Sequence, residues 1–550
     1  MQISSNNFLK YFVIIFFFIY FVFGLLVYKD FGITTDEEFQ RFSGFYWLNY
    51  VLSFTSLEDI KLLVETKLNS IDGFTLPDPV DFPFYGVIFD LPLALIETLL
   101  NIENSKDYFL LRHFCNFLIF FISAIFFFRI LRDRFDKNIV ILFGLLFYIG
   151  SPRIFGDSFF NNKDVVFLSL VTIAIFYGFK LINKFNFKNI LLFGIFSAIA
   201  TSSRIIGIFL PISLLAIIVF GMLDKKIDSN QIKKILFLIL SYFVFTIIFW
   251  PYLWENPIIN FIKAISIFSN YIIDIKFLFN GSYVSSTSLP FTYLPIWILI
   301  TTPIIIILYF LIGYFLFAKK IFNNLIKMEE KKQNDIWKNL NEKKDFFIFF
   351  NFSVIIIFLI LSSPVLYNGW RQVYFVNTFI VYLASYGFFQ LVTSFKTLKN
   401  FKRWFYLITT IFLINIYYEM YKFHPYQSLY FNKLVGKNLE KKFEIDYWGL
   451  AGRKALEEIL VLKKKDKITI GVASWVPLER SLVLFNSIEK KRVEIVGQNY
   501  EEAEYIFLNN ITEVNSVLNE KYKIPKNFTK ISELTLNNSI VYSIYKNLNF

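Results

Sequence analysis

Apolar residues run almost unbroken from position 11 to 28, a stretch of about 18 residues that at 1.5 Å per residue approaches the hydrocarbon thickness of a bilayer. Further apolar runs lie at 108–128, 139–150, 165–179, 190–201, 205–222, 235–250, 292–317, 347–362, 373–391 and 404–420. Together they predict about eleven transmembrane helices. The stretch around Ser202 to Arg204 is read as a break because the apolar residues flanking it are too many for one helix. After 421 the pattern changes. Short runs at 467–472, 492–496, 505–508 and 539–545 read as strands, 452–462 reads as a helix, and Asn537-Asn538 predicts a closing hairpin. The expected fold class is an α-helical polytopic membrane protein with a small C-terminal exterior α/β domain. Residues 1–421 form the membrane region, with a long first exterior loop at 29–107, and residues 422–550 form the domain.

Composition agrees with the pattern: 56% of the 550 residues are hydrophobic and 73 are Phe, well above the apolar share of a soluble domain. The run at 11–28 has no small-residue cleavage pattern behind it and is expected to remain as an anchor. The net charge of +13 is distributed by loop and orients the chain rather than marking a nucleic-acid partner. Loop 29–107 holds five basic residues against fourteen acidic ones, net −9, whereas loop 319–345 holds eight Lys against five acids, net +3. Positive loops inside place the N-terminus in the cytoplasm and the C-terminal domain outside. Heavy use of Phe, Ile, Asn and Lys points to a bacterial source, hence an inner membrane.

Candidate chemistry lies in the exterior loops. Asp36 and Glu37 follow the first span, and segments 38–54 and 84–100 read as interfacial helices that hold them at headgroup depth. Thr34 or Thr35 with the acids behind it equally reads as a helix cap. The second loop, Ser151-Pro152-Arg153-Ile154-Phe155-Gly156-Asp157-Ser158-Phe159-Phe160-Asn161-Asn162-Lys163-Asp164, is dense in Pro, Gly, Asn and charge, as functional loops are. Asn162 or Asp164 is also a candidate cap for the following helix. Arg204, set between apolar runs, needs a partner or an interface. Arg371, after Tyr367-Asn368-Gly369-Trp370, reads as an anchor or an anion contact. His113, His424 and the single Cys115 are too scattered for a zinc site. Asp446-Tyr447-Trp448-Gly449 reads first as packing under the domain and second as an acceptor contact.

These segments, with Trp250-Pro251-Tyr252-Leu253-Trp254, the stretch 288–295 and His424-Pro425-Tyr426-Gln427, resemble glycosyltransferase family 39, the protein O-mannosyltransferases and their bacterial relatives with the GT-C membrane fold. The resemblance implies transfer of a sugar from a polyprenyl-phosphate donor to a hydroxyl acceptor on protein, lipid or glycan, at the outer face and with inversion. It implies Asp36 as general base with Glu37 beside it, and Asp164 as the second-loop acid, with Asp157 competing for that place. Arg153, Lys163, Arg204 and Arg371 are the candidate cations for the donor phosphate. A divalent cation, Mg²⁺ or Mn²⁺, enters only if Asp36 and Asp164 converge. Where some relatives carry a basic residue beside a Pro-Pro pair, this chain has Asp81-Phe82-Pro83-Phe84-Tyr85-Gly86 and no Lys or Arg. Two other readings compete: a transporter or flippase of polyprenyl-linked sugars, and an oligosaccharide ligase or polymerase on the same scaffold. Transporters place ionisable groups near the midplane in related halves, and here the acids lie at loop depth.

Overall fold

Every apolar run becomes helix in a computed structural model of the chain, which describes residues 5–71, 79, 82–222, 228–269, 274–331, 336–394, 399–463, 467–509 and 520–550. Asp81 and parts of the basic loops at 224–234, 319–345 and 396–403 lie outside the described residues. The first loop follows α1 (Ser5–Val27) and holds α2 (Thr35–Leu52), α3 (Glu58–Asn69) and α4 (Asp90–Leu99). Next come α5 (Ser105–Arg134), α6 (Asn138–Ile149) and, in the second loop, the short α7 (Pro152–Asp157). The chain continues through α8 (Asp164–Asn183), α9 (Phe187–Ser203), α10 (Phe209–Phe220) and α11 (Ser229–Phe249). Helix α12 (Pro257–Ser269) and the hairpin β1 (Lys276–Phe279) and β2 (Ser282–Ser285) precede α13 (Tyr293–Thr301) and α14 (Ile304–Lys331). Then follow α15 (Leu340–Ser362), α16 (Val376–Ser394) and α17 (Lys399–Lys422).

The protein is a polytopic, mostly helical membrane protein with a small C-terminal sheet. Among the described residues, α5, α8, α11, α14, α15 and α16 are long and apolar enough to cross a membrane, while α1, α6, α9 and α10 are shorter apolar helices. The run at 292–317 is not one helix. Thr302 is extended and Pro303 follows it, because proline has no N–H to continue the ladder and pushes its predecessor out of the helical region. The carbonyls freed there are taken up by Asn432, whose backbone N–H donates to Ile300 O at 2.8 Å and whose Nδ2 donates to Leu299 O and Thr302 O, each at 2.7 Å. Helices α14 and α16 cross with Gly313 and Gly387 against each other's backbones, where a Cβ on either would collide, the small-residue contact by which membrane helices pack closely.

The loops separate to two ends. At one, α5 and α15 are tied by the ion pairs Arg134–Asp345 and Lys344–Asp133, both at 2.7 Å, and Lys180 of α8 joins Asp133 at 3.4 Å. At the other end the acidic first loop, the second loop, α12, residues 363–375 and the C-terminal sheet region meet. That region contains α18 (Gly452–Leu462), β3 (Ile468–Val472), α19 (Ser487–Arg492), β4 (Val493–Gly497), β5 (Tyr505–Leu508), β6 (Phe528–Leu536) and β7 (Ser539–Asn547). Its sheet order is β4-β3-β5-β7-β6, parallel from β4 to β5 and antiparallel beyond. Asn537 and Asn538 both take positive φ between β6 and β7, as a two-residue hairpin of this kind requires. The region is seated on the first loop: Arg453 donates to Phe31 O at 3.0 Å, and Ser105 Oγ donates to Val483 O at 2.7 Å.

Candidate active site

Asp36 and Glu37 are neighbours in sequence and part company in space. Thr34 is the extended N-cap of α2, and Glu37, three residues on, accepts its backbone N–H at 2.8 Å and its hydroxyl at 3.2 Å. With the Glu37 backbone N–H facing back toward the Thr34 side chain, the pair forms a capping box. The second oxygen of Glu37 lies 2.9 Å from His113 Nε2, and the side chain is buried. Consecutive helical residues do not share a face, so Asp36 points the other way. Its side chain is 45% exposed, with Oδ2 3.0 Å from Arg371 Nη1.

Asp36 opens onto a cavity of about 440 Å³, within the size range of small-ligand sites. Lys163, Arg204, Arg371 and Arg480 also line it. The rest of its lining is largely apolar and includes Phe84, Ile205, Ile206, Trp250, Leu359 and Leu366. Two of the helices that contribute to it carry exposed apolar residues elsewhere on their surfaces, Ile258 and Ile262 on α12 and Phe358 and Leu361 on α15.

Asp164 lies directly behind, fully buried at the first turn of α8, where the helix dipole favours a carboxylate. Arg204 pairs with its Oδ1, while Asn161 Nδ2 at 3.1 Å and Arg371 Nη1 at 3.4 Å reach Oδ2. Neither Asn162 nor Asp164 caps α8: Asn161 Oδ1 accepts the Asp164 N–H at 2.8 Å. Asn162 instead donates to Asp90 Oδ1 at 2.9 Å, tying the second loop to α4. Burial pushes the Asp90 carboxyl up to about 7, against Arg112 and Lys163, which lower it.

The Asp36 and Asp164 carboxylates do converge, but on a guanidinium. Arg371 Nη1 stands between them, and both oxygens of Asp164 are already bonded. This donor set does not fit a divalent cation, and among the described residues no group of three or more His, Cys, Asp or Glu gathers elsewhere. Arg371 is fixed by its own turn: Asn368 and Gly369 adopt positive φ, and Tyr293 Oη donates to Gly369 O at 2.8 Å. Trp370 Nε1 donates to Thr301 Oγ1, also at 2.8 Å. Burial works against the guanidinium charge, but Asp36, Tyr367 and Asp164 outweigh it and hold Arg371 protonated well above its ordinary range. The Lys163 ammonium sits 3.1 Å from the centroid of the Tyr85 ring. Burial, then the neighbouring Arg204, drive its pKa well below that of an ordinary lysine.

Arg153 and Asp157 are not in this cavity. They lie on one face of α7, four residues apart, turned toward a smaller adjoining pocket that shares Arg371. Arg153 donates to Tyr430 O at 2.8 Å and packs over Phe431 and Trp297. Burial pushes Asp157 up to about 7, against the opposing pull of Arg153 and Asn161. The residue that sequence reasoning missed is Arg480. It reaches the cavity mouth from the C-terminal region, donating to Thr35 O at 2.6 Å, and nothing local in the sequence distinguishes it.

Residues 94–254 match the family model described as dolichyl-phosphate-mannose-protein mannosyltransferase. The matched family is one of membrane glycosyltransferases of the mannosyltransferase type, acting with polyprenyl-phosphate sugars and hydroxyl acceptors. Asp157, Lys163, Asp164, Arg204 and the Trp250 to Trp254 motif fall inside the matched segment, while Asp36, Arg371 and Arg480 fall outside it. No curated protein matches the chain.

Proposed function

We propose that the protein transfers a sugar of the mannose type from a polyprenyl phosphate to a hydroxyl acceptor, with inversion, at the outer face of a bacterial inner membrane. The observation that carries this reading is the cavity itself, whose lining combines four cations and a single carboxylate, Asp36, with apolar residues of helices that also expose apolar side chains. A phosphate with a prenyl tail has those two chemistries in one molecule. The acidic first loop and the basic loops of the opposite end are consistent with the cavity lying outside.

In this mechanism the prenyl chain lies along Ile205, Ile206 and Leu359, and the phosphate rests among Lys163, Arg204 and Arg371. Asp36 accepts the acceptor's hydroxyl proton as that oxygen bonds to the anomeric carbon. The carbon–oxygen bond to phosphate breaks on the far face, its electron pair leaves with the phosphate, and the cations stabilise the charge that develops. Attack opposite the leaving group inverts the centre. A second carboxylic acid is unnecessary, unlike in glycosidases, because phosphate departs without protonation. Glu37 then serves the scaffold, holding α2 so that Asp36 faces the cavity.

Incubation of the purified chain in detergent with mannosyl-phosphoryl polyprenol and a mixed acceptor panel tests the proposal. Glycosylated product is expected in a solution without compartments, where a flippase has nothing to do. A protein that binds this donor and yields no product from any acceptor overturns the transferase reading.

Lys163 gives the donor site a characteristic pH dependence. Its depressed pKa means that the empty site loses this proton at lower pH than a free lysine does, and a bound phosphate draws the proton back. Donor affinity therefore falls as pH rises through the lowered pKa, by up to about tenfold per pH unit. Lys163→Met is expected to bind donor more weakly at low pH and to flatten the profile, as measured by equilibrium binding between pH 6 and 10.

A further inference from the structure

Trp475 is 47% exposed, although the loop that carries it is held by hydrogen bonds. It lies in the loop between β3 and the 3₁₀ turn Leu478–Leu484, the turn that also carries Arg480 to the cavity mouth. That loop is pinned: Val476 N–H donates to Ser474 Oγ at 3.0 Å, and Ser474 Oγ donates to Asn509 Oδ1 at 2.5 Å at the end of β5. Gly449, at φ +71°, leaves room only for the Val476 side chain, so the loop is locked against the turn that presents Tyr447.

From this loop a row of rings descends to the cavity. Trp475 and Tyr447 have centroids 6.0 Å apart at an interplanar angle of 33°, and Tyr447 and Tyr367 are 6.5 Å apart. Tyr367 lies 5.1 Å from the Arg371 guanidinium, which is bonded to Asp36. Arg480 and Glu38 flank the lower end, 3.8 Å from each other. A large aromatic face held open to water by hydrogen bonds and a glycine contact is poorly explained by packing alone.

We propose that this row is the acceptor path and that the acceptor is an oligosaccharide, whose apolar ring faces stack on Trp475 and Tyr447 while its terminal hydroxyl reaches Asp36. The assignment rests on the transferase reading above. A sugar presents C–H faces that suit aromatic rings, with hydroxyls around the rim for Arg480 and Glu38. A peptide adding along this loop as a strand would need free backbone groups, and the N–H of Val476 is already bonded within the loop. The row is longer than a single sugar ring, which points to the end of a chain rather than a monosaccharide.

The test is saturation-transfer difference NMR on the full chain in a sugar-free amphipol, with mannotriose, cellotriose, chitotriose and a Ser/Thr-rich peptide as probes. Ring protons of at least one trisaccharide are expected to saturate on the wild type. Trp475→Ala is expected to weaken that binding by about tenfold and Trp475→Phe to keep most of it. Absence of any Trp475-dependent saccharide signal, or a Trp475-dependent signal from the peptide alone, overturns the proposal. Asp36→Asn is expected to retain the saccharide signal. Saccharide binding that persists in a protein giving no product from the polyprenol donor would therefore defeat the transferase reading while leaving this binding site in place.

Discussion

Asp36→Asn is expected to lower sugar transfer by about 10²- to 10⁴-fold, the usual contribution of a positioned general base, while the variant inserts and folds as the wild type does. The substitution keeps the side chain's shape and removes its ability to take the acceptor's proton. Folding is spared because the carboxylate is 45% exposed and its ion pair among the described residues is with Arg371, which keeps Asp164 as a second partner. Donor affinity is expected to stay the same or rise, since the loss of Asp36 leaves Arg371 freer to meet phosphate. Glu37→Gln should behave oppositely. Its carboxylate is buried between the Thr34 backbone and His113, so its replacement is expected to reduce folded yield and melting temperature, with turnover per folded molecule less affected. The measurement is initial rate against acceptor for both variants, normalised to monodisperse protein. An Asp36→Asn protein with wild-type rates would remove Asp36 from catalysis and leave the cavity a binding site only.

That the two adjacent acids part company in space was half legible in the sequence. A Thr followed three residues later by Glu is a capping signature, and it identifies Glu37 as the structural member once Thr34 is taken as the cap. The apolar runs and the C-terminal strands could be read because their periodicity is local: β3, β5 and the Asn537-Asn538 turn stand where the residue pattern placed them. Pro303 was present as a break signal inside the run at 292–317, but its apolar flanks masked it. Helices α3 and α12 were not anticipated. Of the cations, Lys163, Arg204 and Arg371 line the cavity, while Arg153 lies next door, because one residue's turn along α7 decides which pocket a side chain enters. Arg480 could not be read at all, since its place depends on how the sheet region seats on the first loop, a contact between residues more than 400 positions apart.

The largest loss of stability is expected from Glu97→Ala, at about 3–5 kcal/mol. Glu97 is completely buried on α4, a helix whose apolar sequence hides an embedded charge. Arg112 of α5 donates to one of its oxygens at 2.6 Å, and Arg41 of α2 to the other, also at 2.6 Å. One carboxylate thus fastens three helices, and through α2 it fixes the direction in which Asp36 points. Removing it strands the buried Arg112 beside Arg41 without a bonded counter-charge, a far greater cost than the pair's net worth, because neither cation regains its water. Arg41→Met, Glu97→Leu and Arg112→Met combined are expected to recover most of the loss, since no ion is then left unpaired in an apolar setting. Reversible unfolding in mixed micelles measures both outcomes. If the triple variant were as unstable as Glu97→Ala, the three charges would be acting through specific geometry rather than through the desolvation of an orphaned arginine. The same comparison on transfer rate separates the scaffold from the chemistry: a triple variant that folds but transfers slowly would show that this buried cluster also sets the angle at which α2 presents its base.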